Sequence, residues 1–279
     1  MNVVNTPRSG SITASKGSVS LVGAGPGAYD LLTIRAAKTL DSADVVYYDS
    51  LVDSSVLTHI NPKARRVFVG KRKGFSAMPQ QEIQNRMRDD ALAGYQVVRL
   101  KGGDPFIFGR GGEELADLRT SGISVKVVPG VTSAIAAAAE TGIPLTHRDI
   151  ATSVTFVTGH TLDGSIPDLD GLVSSKRTLV VYMGVSNAGT IVSQLLGVGV
   201  PGSIPVAVIE RATLPGQRLV KTTLKALTID LVRYDIVTPA LLVIGDVAAL
   251  GGLDTEPVLP VHMTSKPSEP FAWVHHPMG

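Results

Sequence analysis

The chain has 279 residues, with 26 Lys and Arg against 24 Asp and Glu, so its formal net charge is only +2. Hydrophobic residues make up 44% and charged residues 18%, a composition that excludes a disordered or low-complexity protein. The nearly neutral balance gives no general reason to bind nucleic acid or a membrane surface. The absence of cysteine excludes disulfides, thiolate nucleophiles and Cys-ligated metals.

Neither a secretory signal nor a membrane-spanning helix is predicted. The first residues, MNVVNTPRSGSITASKG, lack an apolar segment, and no apolar run reaches the ~18 residues that a membrane span needs. We therefore expect a soluble, cytoplasmic protein. Residues 1–16 lack periodicity and are expected to form a flexible tail, and the prolines after Leu250 predict an irregular tail over 251–279.

Short apolar strands alternate with helices from Ser18 onward. The strands predicted in the first half are Ser18–Val22, Val45–Tyr48, Val67–Val69, Val97–Leu100 and Val125–Val128. Helices are predicted after these strands. The first begins after Asp30 as N-cap, the second lies between Pro79 and Gly94, and two more cover Glu113–Leu118 and Thr132–Glu140. This alternation predicts a mainly parallel sheet that is covered on both faces.

A second series of strands follows the Gly-Ile-Pro segment at 142–144. Its predicted strands are Val154–Thr158, Thr178–Met183, Pro205–Ile209, Arg218–Thr223 and Ala240–Ile244, with helices around Ala188–Leu196 and Leu224–Val232. The length suits two medium-sized domains. We therefore predict two α/β domains, over residues 17–146 and 147–250, without an internal sequence repeat.

A glycine-rich segment, Gly-Ala-Gly-Pro-Gly-Ala at 23–28, directly follows the first predicted strand. It matches the G-x-G-x-x-A dinucleotide fingerprint, with Asp44 or Asp49 as the candidate acid for a ribose. However, Pro26 removes a backbone N–H where a pyrophosphate needs donors. The glycines would equally let a bulky ligand lie against bare backbone, or form a tight turn without a ligand.

Other candidate residues follow the predicted strands, where ligands gather in open α/β sheets. In the segment RLKGGDPFIFGRGGEE at 99–114, two glycines precede Asp104, and the guanidinium of Arg110 suits a carboxylate or phosphate. A surface ion pair between Arg110 and a glutamate is the alternative. Asp49 ends a strand and could instead cap the next loop, while Thr132 and Ser133 could be simple N-caps.

Basic residues also lie near these strand ends, at 71–73, Arg110 and Arg148. Positive charge gathered there in a nearly neutral chain indicates a polyanionic small substrate rather than a long nucleic acid. The sequence contains no H-E-x-x-H, no P-loop and no G-x-S-x-G segment, so metal hydrolysis, P-loop chemistry and α/β-hydrolase chemistry are unsupported.

With these motifs the chain resembles the tetrapyrrole methylases, and among them the group that methylates uroporphyrinogen III. The resemblance covers about residues 17–250. Its motifs are VGAGPG at 22–27, VVYYDSLV at 45–52, VGKR at 69–72, VRLKGGDPFIFGRGGEE at 98–114, VPGVTSA at 128–134, GIPLTHRD at 142–149, VTGH at 157–160 and YMG at 182–184.

The resemblance implies two α/β/α domains with the active site in the cleft between them, S-adenosyl-L-methionine as cofactor and a homodimer. The implied cofactor positions are Pro26, Gly102, Gly103, Asp104, Ile107, Thr132, Ser133, Met183 and Ala212. Asp49 matches the proton acceptor and Lys71 the proton donor. The positions that face the tetrapyrrole match Arg110, Glu113 and Arg148. Arg110 is also expected to be one of the catalytic residues.

The implied reaction is methylation of uroporphyrinogen III at C2 and C7, giving precorrin-2 through precorrin-1, with S-adenosyl-L-homocysteine as by-product and no metal. The sequence departs from the usual family pattern at Ala28 and Tyr29, at Ser50 in place of Arg, and at Ala212 in place of Gly. An alanine fits there only if its φ is negative. Three alternatives stay open: a methylase of a later corrinoid precursor, an NAD(P)-binding module and a non-catalytic tetrapyrrole-binding protein.

Overall fold

The structure, a computed structural model, describes residues 17–70, 78–161 and 164–252. Lys71 therefore lies outside the described residues, as do residues 1–16 and most of the predicted C-terminal tail. The first two residues assigned to that tail are packed against the fold. Gly252 N–H donates to the carbonyl of Thr141 at 3.2 Å, and Gly251 lies against Ile143.

The first sheet is entirely parallel, as the strand–helix alternation predicts. Its strands are β1 (Ser18–Gly23), β2 (Val45–Tyr48), β3 (Arg65–Phe68), β4 (Gln96–Lys101) and β5 (Ser124–Val128). They lie in the order β3-β2-β4-β1-β5, so that β1 and β4 are central neighbours. All the loops that follow these strands therefore emerge at one edge of the sheet.

Helices cover both faces of this sheet. They are α1 (Ile34–Asp41), α2 (Gln80–Leu92) and α3 (Gly111–Thr120). Leu40 of α1 packs in one apolar cluster with Val22 and Leu100, whereas Met87 of α2 and Leu118 of α3 pack in the cluster on the other face. The segments that follow β1 and β4 consequently pass to opposite faces, which opens a crevice at the strand ends.

The first helix does not begin at Asp30, as the sequence suggested. Asp30 lies in a short 3-10 turn, Tyr29–Leu31, and α1 begins three residues later with Thr33 as its cap. Thr33 Oγ1 accepts a hydrogen bond from Ala36 N–H at 3.1 Å and donates to the carbonyl of Pro129 at 3.3 Å. Thr33 therefore caps a free N–H at the start of α1 and also connects the helix to the segment after β5. A search for cap residues in the sequence does not reveal the second contact.

The second sheet is mixed, which the sequence analysis did not predict. Its strands are β6 (Ala151–Thr158), β7 (Lys176–Tyr182), β8 (Pro205–Glu210), β9 (Arg218–Thr223) and β10 (Ala240–Ile244), in the order β6-β7-β10-β8-β9. Only β6 and β7 pair in parallel. The segment 211–217 between β8 and β9 is too short for a crossover helix, so that pair must be antiparallel. The helices of this half are α5 (Ala188–Gly197) and α6 (Leu227–Arg233).

A further helix, α4 (Ser133–Thr141), joins the two halves of the chain. Its residues Ala134 and Ala137 are fully buried and pack in one cluster with Tyr182, Ile209 and Leu241 of the second sheet. The two α/β layers predicted from the sequence are therefore in direct contact, while the domain limits at 146 and 147 stay a prediction.

The buried Tyr182, at the end of β7, makes a polar contact between the halves. Its hydroxyl shares a hydrogen bond of 2.7 Å with the hydroxyl of Thr132 and accepts one from Ala134 N–H at 3.2 Å. Its ring centroid lies 4.9 Å from that of Phe108, in the segment after β4. Tyr182 thus fixes the second sheet against two strand-end segments of the first.

Replacement of Tyr182 by Phe should lower the free energy of unfolding by about 1–3 kcal/mol, because the N–H of Ala134 and the hydroxyl of Thr132 lose a buried partner. Chemical denaturation measures this loss. The control is Tyr95→Phe, which removes an exposed hydroxyl without a hydrogen bond among the described residues. Equal stability of Tyr182→Phe and the unmodified protein would contradict the assigned role.

Candidate functional site

Bare backbone forms the floor of the candidate site. Gly23, Gly103 and Gly130, at the ends of β1, β4 and β5, approach so closely that a Cβ on Gly130 would lie 2.3 Å from the carbonyl oxygen of Gly103 and 2.8 Å from Gly23 Cα. Gly25 and Gly103 also exchange backbone hydrogen bonds of 3.2 and 2.7 Å. Only glycine fits at positions 23 and 130, where neighbouring main chain fills the space of a Cβ. At Gly103, whose φ is 66°, a Cβ would have no heavy atom nearer than 3.9 Å, so open space lies beside the main chain there.

Asp104 links two of these segments. Its Oδ2 accepts a hydrogen bond from Gly130 N–H at 3.0 Å, and its Oδ1 accepts one from Phe106 N–H at 2.8 Å. Each carboxylate oxygen keeps a further lone pair for a ligand. Asp104 therefore holds the strand-end segments together, whatever else it contacts.

The second half contributes two of the candidate cofactor positions, Met183 and Ala212, directly after β7 and β8. Met183 has a left-handed backbone, with φ 54°, and is about half exposed. Ala212 lies between Arg211 and Thr213, which have φ of 51° and 69°, but is not itself among the positive-φ residues. The alanine that departs from the family pattern is thus free of backbone strain.

The segments after β1 and β8 are in contact. Ala28 N–H donates to Thr213 Oγ1 at 3.1 Å, and a Cβ on Gly27 would lie 2.6 Å from the side chain of Leu214. Pro26 and Ala212 consequently belong to neighbouring segments. Together with the Tyr182 contact, this brings all nine candidate cofactor positions into the strand-end segments of the two sheets.

Thr132 and Ile107 are structurally engaged as well. Thr132 occupies the N-cap position of α4, yet its side chain makes no cap hydrogen bond, because its hydroxyl is bonded to Tyr182. Thr132 is thus the N-cap residue, as expected, but its hydroxyl does not cap the helix. Ile107 packs in the apolar cluster shared by the two halves.

Arg110 and Glu113 form an ion pair at the start of α3. The Nη2 and Nε atoms of Arg110 lie 2.6 and 3.1 Å from Glu113 Oε2, and the two side chains are 45% and 52% exposed. The hydrogen bond to Arg110 lowers the pKa of Glu113, and the same bond raises the pKa of Arg110. The ion pair considered as the alternative for Arg110 is thus present, while its Nη1 makes no hydrogen bond within the described ranges.

Two other candidates are not brought to this pair. Arg148 is exposed in the connection between the sheets and forms no ion pair among the described residues. Asp44 precedes β2 and its Oδ2 accepts from Gln96 N–H at 2.7 Å, at the opposite edge of the sheet. Asp44 therefore cannot be the acid of a dinucleotide site, because it lies at the wrong end of its strand.

Asp49 follows β2 at the site edge and contacts a buried charge cluster. Its Oδ2 accepts from Arg99 Nη2 at 3.0 Å, and its Oδ1 accepts from Leu51 N–H at 3.1 Å, the loop-capping contact considered in the sequence analysis. Behind Arg99 lie Lys101 and Glu114. Arg99, Lys101 and Glu114 are not among the candidates predicted from the sequence, although two charges at alternate positions of an otherwise apolar strand are an unusual pattern.

No cation site and no membrane span emerge from the described residues. They contain no group of three or more His, Cys, Asp or Glu side chains that could hold a metal ion. None of the helices described is long and apolar enough to cross a membrane.

Comparison with known proteins decides which family this arrangement represents. Residues 18–228 match the family described as Tetrapyrrole (Corrin/Porphyrin) Methylases. The chain belongs to this family. The tetrapyrrole methylase fold class is likewise confirmed, since the structure superposes on uroporphyrin III C-methyl transferase from Thermus thermophilus with a TM-score of 0.74 and 42% identity, over 84% of this chain and 100% of that one.

The same Thermus protein has been solved in complex with S-adenyl homocysteine, also with a TM-score of 0.74. Among curated relatives of this tetrapyrrole methylase, a siroheme synthase of Chromobacterium violaceum is 52% identical over 236 residues. Siroheme synthase 1 of Aeromonas hydrophila subsp. hydrophila is 49% identical over 237 residues. These matches cover 84% and 85% of this chain but 50% and 51% of the relatives, so the chain spans about half their length.

Proposed function

We propose that this tetrapyrrole methylase transfers methyl groups from S-adenosyl-L-methionine to carbon atoms of uroporphyrinogen III. The observation that carries the proposal is the meeting of strand-end segments from both sheets around a floor of bare backbone. The Thermus relative, whose chain is covered completely, supports the cofactor because it has been solved with S-adenyl homocysteine.

The residues at this floor fit such a cofactor. The proposed contacts are those of Pro26, Gly102, Gly103, Asp104, Ile107, Thr132, Ser133, Met183 and Ala212. Gly103 leaves open space beside the main chain, and the carboxylate of Asp104 retains acceptor capacity for hydroxyl or ammonium donors. When bound, S-adenosyl-L-methionine supplies a methyl group activated by its sulfonium charge, so that no metal and no covalent enzyme residue are required.

The substrate is a polycarboxylate, and positive charge near the site suits it. Arg110 presents an exposed guanidinium whose Nη1 donors can bind a substrate carboxylate while Glu113 keeps the other side of the fork oriented. Arg148 would supply a second positive group from the connection between the sheets. Because Arg110 is already held by Glu113, its side chain loses little conformational entropy when substrate binds.

The chemistry needs orientation and removal of one proton. The β-carbon of the pyrrole ring is nucleophilic and must be aligned with the methyl group, and alignment of this kind contributes roughly 7–11 kcal/mol in favourable cases. Asp49, at the edge of the floor, is the proposed acceptor of the proton lost after attack. Lys71 is the proposed proton donor.

The proposed products are precorrin-1 and then precorrin-2, through methylation at C2 and C7. The second methylation requires the intermediate to bind again in a rotated orientation. A methylase of a later corrinoid precursor is the second candidate, because the structure also superposes on a cobalt precorrin-4 methyltransferase with a TM-score of 0.73. We favour uroporphyrinogen III as the substrate because the chain is 42% identical to the Thermus protein but 29% identical to the precorrin-4 methyltransferase. The homodimer and the cytoplasmic location stay predictions.

Anaerobic incubation of the protein with S-adenosyl-L-methionine and enzymatically generated uroporphyrinogen III tests this function. The product mass should increase by two methyl groups, with a transient species that carries one. Cofactor binding without methyl transfer to uroporphyrinogen III, but with transfer to precorrin-2, would instead establish the later corrinoid substrate. Absence of both activities would contradict the proposal and leave a binding protein.

Asp104→Ala should weaken the binding of S-adenosyl-L-methionine by about tenfold or more, since two backbone N–H groups of the floor lose their acceptor and the segments separate. Calorimetric titration gives the dissociation constant. Asp168→Ala is the matched control, because Asp168 accepts a similar hydrogen bond from Asp170 N–H at 3.0 Å outside the floor. An unchanged affinity in Asp104→Ala would remove this residue from the cofactor site.

Arg110→Ala should raise the KM for uroporphyrinogen III by about 10- to 100-fold, the value of one charge-assisted contact, and leave cofactor affinity unchanged. Steady-state kinetics at saturating cofactor measure the effect. Arg119→Ala is the matched control, since Arg119 is an exposed arginine in the last turn of the same helix. The role of Arg110 is refuted if both variants show the KM of the unmodified protein.

A further inference from the structure

The buried charge cluster behind Asp49 has no part in the function proposed so far. Its centre is Glu114, whose side chain is completely buried. Glu114 Oε1 accepts hydrogen bonds from Gln80 Nε2 at 2.8 Å, Lys101 Nζ at 3.1 Å and Arg99 Nε at 3.3 Å. Its Oε2 lies 3.0 Å from Lys101 Nζ as well, in an ion-pair contact without a directed hydrogen bond.

Three secondary-structure elements bring these groups together. Arg99 and Lys101 occupy alternate positions of β4 and therefore point to the same face of the sheet as Val97, the face that α2 and α3 cover. Gln80 begins α2, and Glu114 lies in the first turn of α3, where the helix dipole favours a negative charge. The cluster thus lies directly below the site edge of the sheet.

Within the described ranges, Asp49 is the hydrogen-bonded link between the cluster and the site edge. The side chains of Arg99, Lys101 and Glu114 are at most 6% exposed, whereas that of Asp49 is 24% exposed. Arg99 binds both carboxylates, with Nη2 on Asp49 and Nε on Glu114, and its Nη1 donates to the carbonyl of Leu100 at 3.0 Å. The guanidinium is therefore held by three of its nitrogens, and it binds Oδ2 of Asp49 while Leu51 N–H holds Oδ1.

Stability alone is a poor reason for such a cluster. Two cations and two carboxylates have been withdrawn from water here, and apolar residues of similar volume are often as stabilising as a buried ion pair. Burial also lowers the pKa of Lys101, with the neighbouring Arg99 adding to the effect against the attraction of Glu114. Because burying these charges costs desolvation free energy, a role in orienting Asp49 explains the cluster better than a contribution to stability does.

We propose that Glu114 is a positioning residue, which holds Arg99 and through it fixes the carboxylate of Asp49 for proton removal. The proposal rests on the proposed function, in which Asp49 accepts the proton. Glu114 touches neither substrate nor cofactor in this scheme. Its hydrogen-bonded route to the site runs through Arg99, so a coupling measurement with Asp49 distinguishes this role from a general effect on folding.

A double-mutant cycle between Glu114→Gln and Asp49→Asn tests the coupling. The glutamine keeps the shape of the side chain and one acceptor oxygen but removes its charge, so that Arg99 is held less firmly. Measured by single-turnover methylation of uroporphyrinogen III at saturating cofactor, the rate should fall about 10- to 100-fold in Glu114→Gln. In the Asp49→Asn background the same change should cost less than about twofold, because the group that Glu114 orients is already removed.

The control is Asp90→Asn, which neutralises a partly buried, charge-paired carboxylate away from the site. Asp90, on α2, bonds the buried Tyr47 hydroxyl and Arg65, on the same face of the sheet but outside the site. The Asp90→Asn substitution should lower the melting temperature of the protein without changing its methylation rate. Calorimetric affinity for S-adenosyl-L-methionine should be unchanged in Glu114→Gln as well.

The outcomes separate the two proposals. An equal loss of rate on Glu114→Gln in both backgrounds would overturn the positioning role, even if Asp49→Asn is slow. An Asp49→Asn variant with full rate would instead refute Asp49 as the base, and with it the route through which Glu114 acts. Should Glu114→Gln fail to fold, Gln80→Leu loosens Glu114 without removing a charge, and its smaller loss of rate should again vanish in the Asp49→Asn background.

Discussion

The approach of three strand ends without side chains is the constraint on which the candidate site depends. The main chains at Gly23, Gly103 and Gly130 lie closer together than a Cβ on Gly23 or Gly130 would allow, and Asp104 then links two of the segments through the N–H of Gly130. The result is a floor whose shape is set by main-chain hydrogen bonds rather than by rotatable side chains. A floor of this kind changes little between ligands, since the parts that define it have almost no freedom to reorganise.

Charge is distributed around this floor in two different ways. Arg110 and Glu113 form a pair at the rim, where solvent screens their attraction and where an incoming carboxylate can still reach the guanidinium. Arg99, Lys101 and Glu114 lie beneath the rim in a cluster that water hardly reaches. The first arrangement suits recognition of an anionic substrate, and the second suits fixed geometry, because buried ionic contacts tolerate little displacement.

The sequence predicted the elements of the first sheet well because each buried parallel strand is a short apolar run between helices. The predicted bounds of β2 agree with the structure, as do those of β9 and β10 in the second sheet. The motifs at the strand ends indicated Asp49, Asp104 and Arg110. Asp30 and Asp44 were misinterpreted, since pattern alone does not tell which carboxylate faces a helix end or which edge of a sheet a residue occupies. The antiparallel pairing of the second sheet was missed because strand direction depends on the connections.

The helix α4 has a consequence for the way in which the chain divides. It belongs in sequence to the half that contains the first sheet, yet Ala134 and Ala137 bury their side chains against Tyr182 and Ile209 of the second sheet. A polypeptide that stopped at residue 146 would therefore carry a small-residue helix without its packing surface, and the remaining half would expose the complementary apolar face. The two halves share buried surface, so their separation as autonomous modules would need a redesigned surface on both sides.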